Sequence, residues 1–187
     1  MNNIAIHVVE KAAQGDMEAF EEIYRATSGF VYNVALGIMR NDAQAQEVTQ
    51  DVFMKIYRQL KNFQFRSSFK TWVYRITVNT AINYCRQSRR EQRNKVDQEH
   101  IIETLPSSES AAQRAIQADY QGRLDALMSI LSPEHKACLV LREIEGLSYQ
   151  DMATALKVPV NTVRSRLNRA RQALIEEARK EPEKNEL

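Results

Sequence analysis

Four arginines lie between positions 164 and 171 without an intervening acid, and Ser and Asn side chains are interspersed with them. Arginine can bind a guanine edge through two hydrogen bonds, and Ser or Asn can bind bases or phosphates. A helix that turns about 100° per residue places one polar set on the same side, namely Asn161, Arg164, Ser165, Asn168 and Arg169. This pattern is typical of a recognition helix in a major groove.

The elements that position this face are two helices joined by a tight turn. The opposite side of the basic helix is apolar, with Val163, Leu167, Ala170 and Leu174 in helical register. Before it, Ser148 is a good N-cap for a short helix with an apolar face, and Pro159 ends that helix. We predict a helix-turn-helix from Leu147 to Leu174. The simpler alternative, a solvated basic helix, does not explain the paired helix in front.

A second group of chemically interesting residues lies on a helix predicted from Ala43 to Leu60. Glu47 and Asp51 are one turn apart, the spacing of paired carboxylates in helical metal-dependent hydrolases. Such sites need three or four carboxylates from two helices, and no second pair is present. We therefore predict no metal site. The same face carries Gln50 and Met54, so it is either a solvated surface or a docking surface for a protein.

Aromatic and basic residues are combined between Asn62 and Arg90. The segment Asn62–Ser68 is polar and contains two phenylalanines, and an apolar helix is predicted to follow it. One stripe of that helix is polar: Thr71, Arg75, Asn79 and Arg86, with Trp72 and Asn83 at its edge. A basic strip beside exposed rings suits a single nucleic-acid strand, because bases stack on rings while cations follow phosphates. Packing in a core is the alternative for the rings of Phe63, Phe65 and Trp72.

The composition indicates a helical protein without a membrane segment. The chain has 187 residues, 43% of them hydrophobic, and only 5 Gly and 4 Pro. No apolar run approaches the roughly 20 residues of a membrane span, and no signal peptide is present, so we expect a cytoplasmic location. Cys85 and Cys138 are interpreted as reduced packing residues. The net charge is +2, but residues 62–93 hold 7 basic and 1 acidic side chains.

The remaining pattern divides the chain. Residues 4–39 are predicted to be helical with a break at Gln14-Gly15-Asp16, and Ser132-Pro133 begins a helix that Gly146 ends. Between them, residues 91–119 are acidic and rich in Ser and Gln, without apolar periodicity. We predict an all-α chain with a first domain at 1–92, a flexible linker at 93–119 and a second domain at 120–187.

In this order and spacing the parts resemble the extracytoplasmic-function sigma factors of bacterial RNA polymerase, most closely the sigma-E-like branch. The matching stretches are DAQAQEVTQDVFMKIYRQL, FKTWVYRITVNTAINYCR and the segment from LSPEHKACLVL through the helix-turn-helix. The resemblance covers most of residues 10–175. It implies two small helical domains, sigma-two and sigma-four, and an alternative sigma factor that directs promoter-specific initiation in a stress or envelope response.

The resemblance also implies partners and residue roles. The partners are core RNA polymerase, promoter DNA and an anti-sigma factor, with no enzyme activity, cofactor, small-molecule substrate or membrane insertion. Polymerase binding falls on Glu47, Gln50, Asp51 and Met54. Recognition of the minus-ten element, with capture of an unpaired base, falls on Phe63, Phe65, Arg66, Ser67, Arg75, Asn79 and Asn83. Recognition of the minus-thirty-five element falls on Asn161, Arg164, Ser165, Asn168 and Arg169.

Two positions depart from the resemblance. Asn161 stands where glycine is usual in the family, and Asn168 stands where a larger residue is common, so the promoter sequence stays open. The alternative function is a stand-alone helix-turn-helix regulator that dimerises on a palindromic operator. Against it, the chain has no heptad pattern or ligand domain, and its first domain has a nucleic-acid-like surface of its own.

Overall fold

The computed structural model describes residues 4–94 and 111–184, and all regular secondary structure within them is helical. The amino-terminal unit contains α1 (Ile6–Ala13), α2 (Met17–Met39), α3 (Asp42–Gln59), a 3₁₀ turn (Leu60–Asn62) and α4 (Phe69–Asn94). The carboxy-terminal unit contains α5 (Ala111–Ser129), α6 (Pro133–Leu139), a π-helical turn (Val140–Ile144), α7 (Tyr149–Leu156) and α8 (Val160–Lys184). The predicted all-α class is confirmed.

Four helices begin at capping side chains, of which the sequence indicates those at Asp16, Ser132 and Ser148. Four side chains accept a hydrogen bond from the backbone N–H three residues later, which satisfies a donor that the first helical turn leaves free. They are Asp16 at α2, Asn41 at α3, Ser132 at α6 and Ser148 at α7. Local sequence therefore accounts for these boundaries.

Two helix boundaries and one turn differ from the predictions. Helix α5 begins at Ala111 rather than near Tyr120, so residues 111–119 of the predicted linker are helical, while 95–110 lie outside the described residues. Helix α8 continues to Lys184, ten residues beyond the predicted end at Leu174. The helix after Ser132-Pro133 widens into a π turn before it stops at Gly146, whose φ is 68°.

The amino-terminal unit is a bundle of α2, α3 and α4, with α1 packed on α2. Its interior is formed by apolar side chains at helical spacing, and the following are completely buried: Val31, Val34, Ala35, Ile38, Ala45, Val48, Val52, Ile56, Val73, Val78 and Ala81. Within the described ranges, no helix is both long and apolar enough to cross a bilayer.

The two units pack against each other and share one apolar core. Helix α4 contacts α6 and α7, and α2 contacts α6 and the π turn. The units approach closely at Gly37, where an added Cβ would lie 2.7 Å from Cγ2 of Val140. A larger residue at this point of α2 would force the Val140 side chain or the helices to shift.

Polar side chains also join the units. The Tyr74 hydroxyl donates to Oε2 of Glu145 at 2.6 Å. Two ion pairs also cross the boundary: Arg86 pairs with Glu134 at 2.6 Å, and Arg40 pairs with Asp125 at 2.7 Å. Since Tyr74 is 1% exposed, its hydrogen bond lies in the interface itself.

Candidate nucleic-acid and protein interfaces

The helix-turn-helix is formed by α7 and α8. Lys157 ends α7 in the left-handed conformation with φ 53°, and the chain passes Val158 and Pro159 before α8 begins. Val163, Leu167 and Ala170 are at most 1% exposed. Asn161, Arg164, Ser165, Asn168 and Arg169 are all exposed on the opposite side, and we call these five residues the recognition face. The division of α8 into two faces follows the predicted periodicity.

The four arginines of α8 are not equivalent. Arg166 is half-buried and lies against α6, where its charge helps to lower the pKa of His135 after the larger effect of burial. Arg171 forms an ion pair with Glu143 of the π turn at 2.5 Å. Arg164 and Arg169 remain on the recognition face. The positive charge available to a ligand is therefore more localised than the sequence alone suggests.

The thiol groups behave as packing groups. Cys138 is completely buried on α6, and burial raises the pKa of its thiol to about 11. Cys85 on α4 is half-buried, and burial raises its pKa as well. Neither forms a disulfide, in agreement with the sequence-based interpretation.

The aromatic segment before α4 is held by ring contacts. Phe63 packs against Phe65, Phe69 and Trp72, with ring centroids 4.7 to 5.7 Å apart. Phe63 and Trp72 are half-buried, whereas Phe65 is 45% exposed and has a positive φ of 53°. Each interpretation of the rings therefore holds for part of the set. Phe63 and Trp72 pack, whereas Phe65 is presented to solvent by a strained backbone.

The polar stripe of α4 is only partly available. Asn79 and Asn83 are exposed, as are Arg66 and Phe65 of the preceding segment, and Ser67 is half-buried. We call Phe63, Phe65, Arg66, Ser67, Arg75, Asn79 and Asn83 the strand-binding surface. Arg75 differs from the other members because its Nη2 donates to the Thr154 carbonyl of α7 at 3.0 Å. Sequence patterning could not reveal that contact.

Lys55 makes a contact between helices that the sequence did not reveal. Its ammonium group donates to the Thr80 hydroxyl at 3.1 Å and so ties α3 to α4 beside Asn79. Thr80 is buried, 4% exposed, within an otherwise apolar contact. A lysine on the core side of a helical pattern is the signal that could have indicated this role.

The predicted protein-binding residues share one exposed surface on α3. Glu47, Gln50, Asp51 and Met54 are all exposed, and we call them the docking face. Glu47 accepts a hydrogen bond from the Tyr84 hydroxyl at 2.6 Å, which raises the pKa of Tyr84 to about 12. Glu47 is therefore oriented by α4, and Tyr84 is a contributor that the sequence did not indicate.

An apolar groove of about 530 Å³ adjoins the docking face. Gln50 and Met54 line it from α3, together with residues of α2: Met17, Phe20 and Tyr24. Tyr24 is 47% exposed and packs its ring on Phe53 at 4.6 Å. Exposed Met and Tyr around a groove are typical of protein-binding surfaces.

The metal-site alternative lacks ligands in the described structure. In residues 4–94 and 111–184, no three His, Cys, Asp or Glu side chains are grouped to hold an ion. The carboxylate of Glu47 is bound by a tyrosine hydroxyl.

Comparison with known proteins decides among the remaining alternatives. Residues 23–91 match the family described as Sigma-70 region 2, and residues 121–174 match Sigma-70, region 4. The chain is 35% identical over 176 residues to the RNA polymerase sigma-H factor of Pseudomonas aeruginosa, covering 89% of this chain and 90% of that protein. The chain belongs to the extracytoplasmic-function sigma factors. It is also 35% identical over 178 residues to the sigma-E factor of Escherichia coli K12, with the same coverage.

This sigma factor binds core RNA polymerase and promoter DNA and directs transcription initiation, and it is not an enzyme. The region-2 match excludes the alternative of a stand-alone helix-turn-helix regulator. It covers most of the amino-terminal unit, which such a regulator would not need. Two solved structures have the same fold. They are CnrH in complex with the cytosolic domain of CnrY and RpoE of Bartonella quintana in complex with the anti-sigma factor NepR.

The fold similarity extends over both units. The CnrH comparison has a TM-score of 0.66 at 21% identity and covers 91% of this chain and 94% of that one. The RpoE comparison has a TM-score of 0.63 at 24% identity and covers 84% and 94%.

Proposed function

We propose that the recognition face reads the minus-thirty-five element in the major groove. The observation that carries this assignment is the separation of α8 into an apolar side, buried at Val163, Leu167 and Ala170 and half-buried at Leu174, and a polar side whose five residues are exposed. Arg164 and Arg169 supply bidentate donors for guanine, and Asn161, Ser165 and Asn168 supply shorter hydrogen-bonding groups. Arg166 and Arg171 orient α8 through contacts with the rest of its unit.

The strand-binding surface is assigned to the minus-ten element. Phe65 offers an exposed ring for base stacking, and Arg66 offers a cation beside it. Asn79 presents an exposed amide that can both donate to and accept from an extruded base. Phe63 and Trp72 hold the segment before α4 in place through their ring contact.

Core polymerase is assigned to the docking face of α3. This assignment is supported by two observations: all four residues of the docking face are exposed, and they adjoin the apolar groove between α2 and α3. Asp51 supplies the charge, while Met54 and the groove supply apolar area that a partner would cover. Glu47 is held in place by Tyr84, so its carboxylate is oriented before binding.

Several wider assignments accompany these surfaces. The two functional domains are assigned to residues 1–92 and 120–187, with the linker at 93–119. The protein acts in the cytoplasm, where polymerase and promoter DNA are found, in a stress or envelope response. An anti-sigma factor controls it; the two structural neighbours named above are complexes, one of them with an anti-sigma factor by name.

Charge reversal at Asp51 tests the docking assignment. We expect Asp51→Lys to weaken binding of core polymerase by about 2–5 kcal/mol, because a charge in the interface then meets the wrong sign. The measurement is a titration of the labelled protein with purified core polymerase. Glu10→Lys, at an exposed position of α1, is the matched control and should bind normally. Unfolding curves of both variants should match the wild type, and normal binding by Asp51→Lys would contradict the assignment.

A further inference from the structure

Positive charge collects where α2, α4 and α6 meet. Arg40 ends α2 in the left-handed conformation with φ 57°, Arg89 lies in the last part of α4, and Lys136 lies on α6. We call these three residues the junction cluster. Cys85 of α4 lies close to two of them: burial raises the pKa of its thiol, and the charges of Lys136 and Arg89 oppose that rise. Three helices therefore contribute one cation each to the same place.

Lys136 is a half-buried cation whose ammonium group has no hydrogen-bond or ion-pair partner in the described part of the chain. Burial lowers the pKa of this group, and the charges of Arg89 and Arg40 lower it further. The Cys85 thiol and the Asp125 carboxylate act in the opposite direction without cancelling the effect. A charge taken partly out of water is costly unless an opposite charge pairs with it.

Arg40 lacks an acceptor at one of its nitrogens. Its side chain is 16% exposed, and Nε donates to Oδ1 of Asp125 at 2.7 Å. Nη2 is buried and has no hydrogen-bond partner among the described residues. A charged donor left without an acceptor costs more than a neutral one, because its hydration has been lost and nothing replaces it.

The charge balance at the junction indicates the chemistry of the missing acceptor. Asp125 and Glu134 reach the junction, but each already pairs with an arginine of the other unit, at 2.7 and 2.6 Å. The charges of Arg89 and Lys136 stay uncompensated. A divalent oxyanion would neutralise both, whereas one carboxylate would neutralise only one, and phosphate oxygens are favoured acceptors for arginine and lysine. Because Arg89 is exposed, the junction is open to solvent on its side.

We propose that the junction cluster is a binding site for the phosphate group of a small ligand, held by Lys136, Arg89 and Nη2 of Arg40. Inorganic phosphate and nucleotides share this chemistry. The site includes no residue of the recognition face, the strand-binding surface or the docking face. It therefore binds a ligand that is neither promoter DNA nor polymerase, and the proposal does not depend on the roles assigned to those surfaces.

Calorimetric titration of the full-length protein tests the site, in chloride buffer of constant ionic strength. The probes are inorganic phosphate, ADP and adenosine, of which the last has no phosphate. Lys136→Met and Arg89→Gln remove cations of the junction cluster. Lys11→Gln, at an exposed position of α1, is the matched control. Arg164→Gln shows whether a probe binds to the recognition face instead.

We expect inorganic phosphate and ADP to bind the wild type and to raise its melting temperature, and adenosine to do neither. Lys136→Met should weaken the binding of both phosphate probes by about ten-fold, because it removes a charged donor with little change in volume. Arg89→Gln should weaken binding several-fold, and Lys11→Gln should not change it. Tighter binding of ADP would identify a nucleotide as the source of the phosphate group, and equal affinities would identify free phosphate.

The melting temperature also separates ligand binding from a structural role of Lys136. Without phosphate, Lys136→Met should melt at a higher temperature than the wild type, because an unpaired, half-buried charge has been replaced by an apolar group. Saturating phosphate should remove this difference by stabilising only the wild type. A lysine with a merely structural role would leave the variant less stable than the wild type in both buffers.

Two results would overturn the inference. One is the same affinity for inorganic phosphate and ADP in the wild type, Lys136→Met and Arg89→Gln, including the absence of binding to all three. The other is binding that is lost in Arg164→Gln but retained in Lys136→Met, which would place the anion on the recognition face. If Lys136→Met does not fold, Arg89→Gln carries the comparison, because its position is exposed.

Discussion

The recognition face and the strand-binding surface are both basic, but they are built differently. The recognition face lies on one helix, and its five residues are exposed together because the opposite side of α8 is buried. The strand-binding surface combines a strained segment with one stripe of α4, and its members range from exposed Phe65 to half-buried Arg75. The first surface is complete in the packed protein, whereas the second is partly covered by the other unit.

The difference shows what each surface requires. Reading a duplex needs rigid side chains on a rigid element, and helical periodicity supplies that locally. Capturing an unpaired strand needs rings and cations from separate elements, so its geometry depends on tertiary contacts. A surface assembled in this way can also be covered by tertiary contacts, as Arg75 shows.

The largest expected effect tests the buried side of α8. Leu167→Ala should lower the free energy of unfolding by about 2–5 kcal/mol, because it removes a completely packed side chain and leaves a cavity. Asn168→Ala, the adjacent exposed position, should change stability by less than about 0.5 kcal/mol. Urea titrations measure both. Similar stabilities for the two variants would mean that α8 does not have distinct faces.

The next effect separates the arginines of α8. Arg164→Ala and Arg169→Ala should each weaken binding to the minus-thirty-five element by about 1–3 kcal/mol, because each removes a groove-facing donor. Arg171→Ala, whose guanidinium pairs with Glu143, and Arg179→Ala, beyond the recognition face, should do little. Footprinting titrations with holoenzyme on a target promoter measure this. Equal losses of binding in all four variants would mean that the recognition face acts only as a general basic surface.

A smaller and more selective effect is expected on the strand-binding surface. Asn79→Ala should impair promoter opening by about 1 kcal/mol, because its amide meets a base edge that duplex DNA hides. Binding of the closed promoter should be unchanged. Permanganate footprinting beside a closed-complex binding assay measures the two steps, and Gln87→Ala on the exposed side of α4 is the control. Equal loss in both assays, with lower thermal stability, would indicate a structural role instead.

The smallest effect concerns pH and the link between α3 and α4. The hydrogen bond to Glu47 raises the pKa of Tyr84 to about 12, whereas an unfolded tyrosine has a pKa of about 10. This contribution to stability is complete below the unfolded pKa and is lost as the pH rises from about 10 to about 12. Tyr84→Phe should therefore flatten the fall of stability across this window in denaturant titrations. An unaltered slope would mean that the bond to Glu47 does not persist in solution.

Helix boundaries and the helix-turn-helix were predictable because their causes are local. Asp16, Asn41, Ser132 and Ser148 cap helices through contacts only three residues away. The faces of α8 follow from its own periodicity. The π turn after α6 was not predictable in this way, because no simple residue pattern marks an i to i+5 bond.

The sequence by itself determined the all-α class, the caps, the buried and exposed sides of α8 and the acidic and apolar composition of the docking face. Only the tertiary structure decided which charged side chains are available. Arg75 and Thr154 are 79 positions apart, and Glu47 and Tyr84 are 37 positions apart, so no local period connects them. Their pairing depends on how whole helices pack, and that packing depends on many distant apolar contacts at once, including the contact at which Gly37 lets Val140 approach.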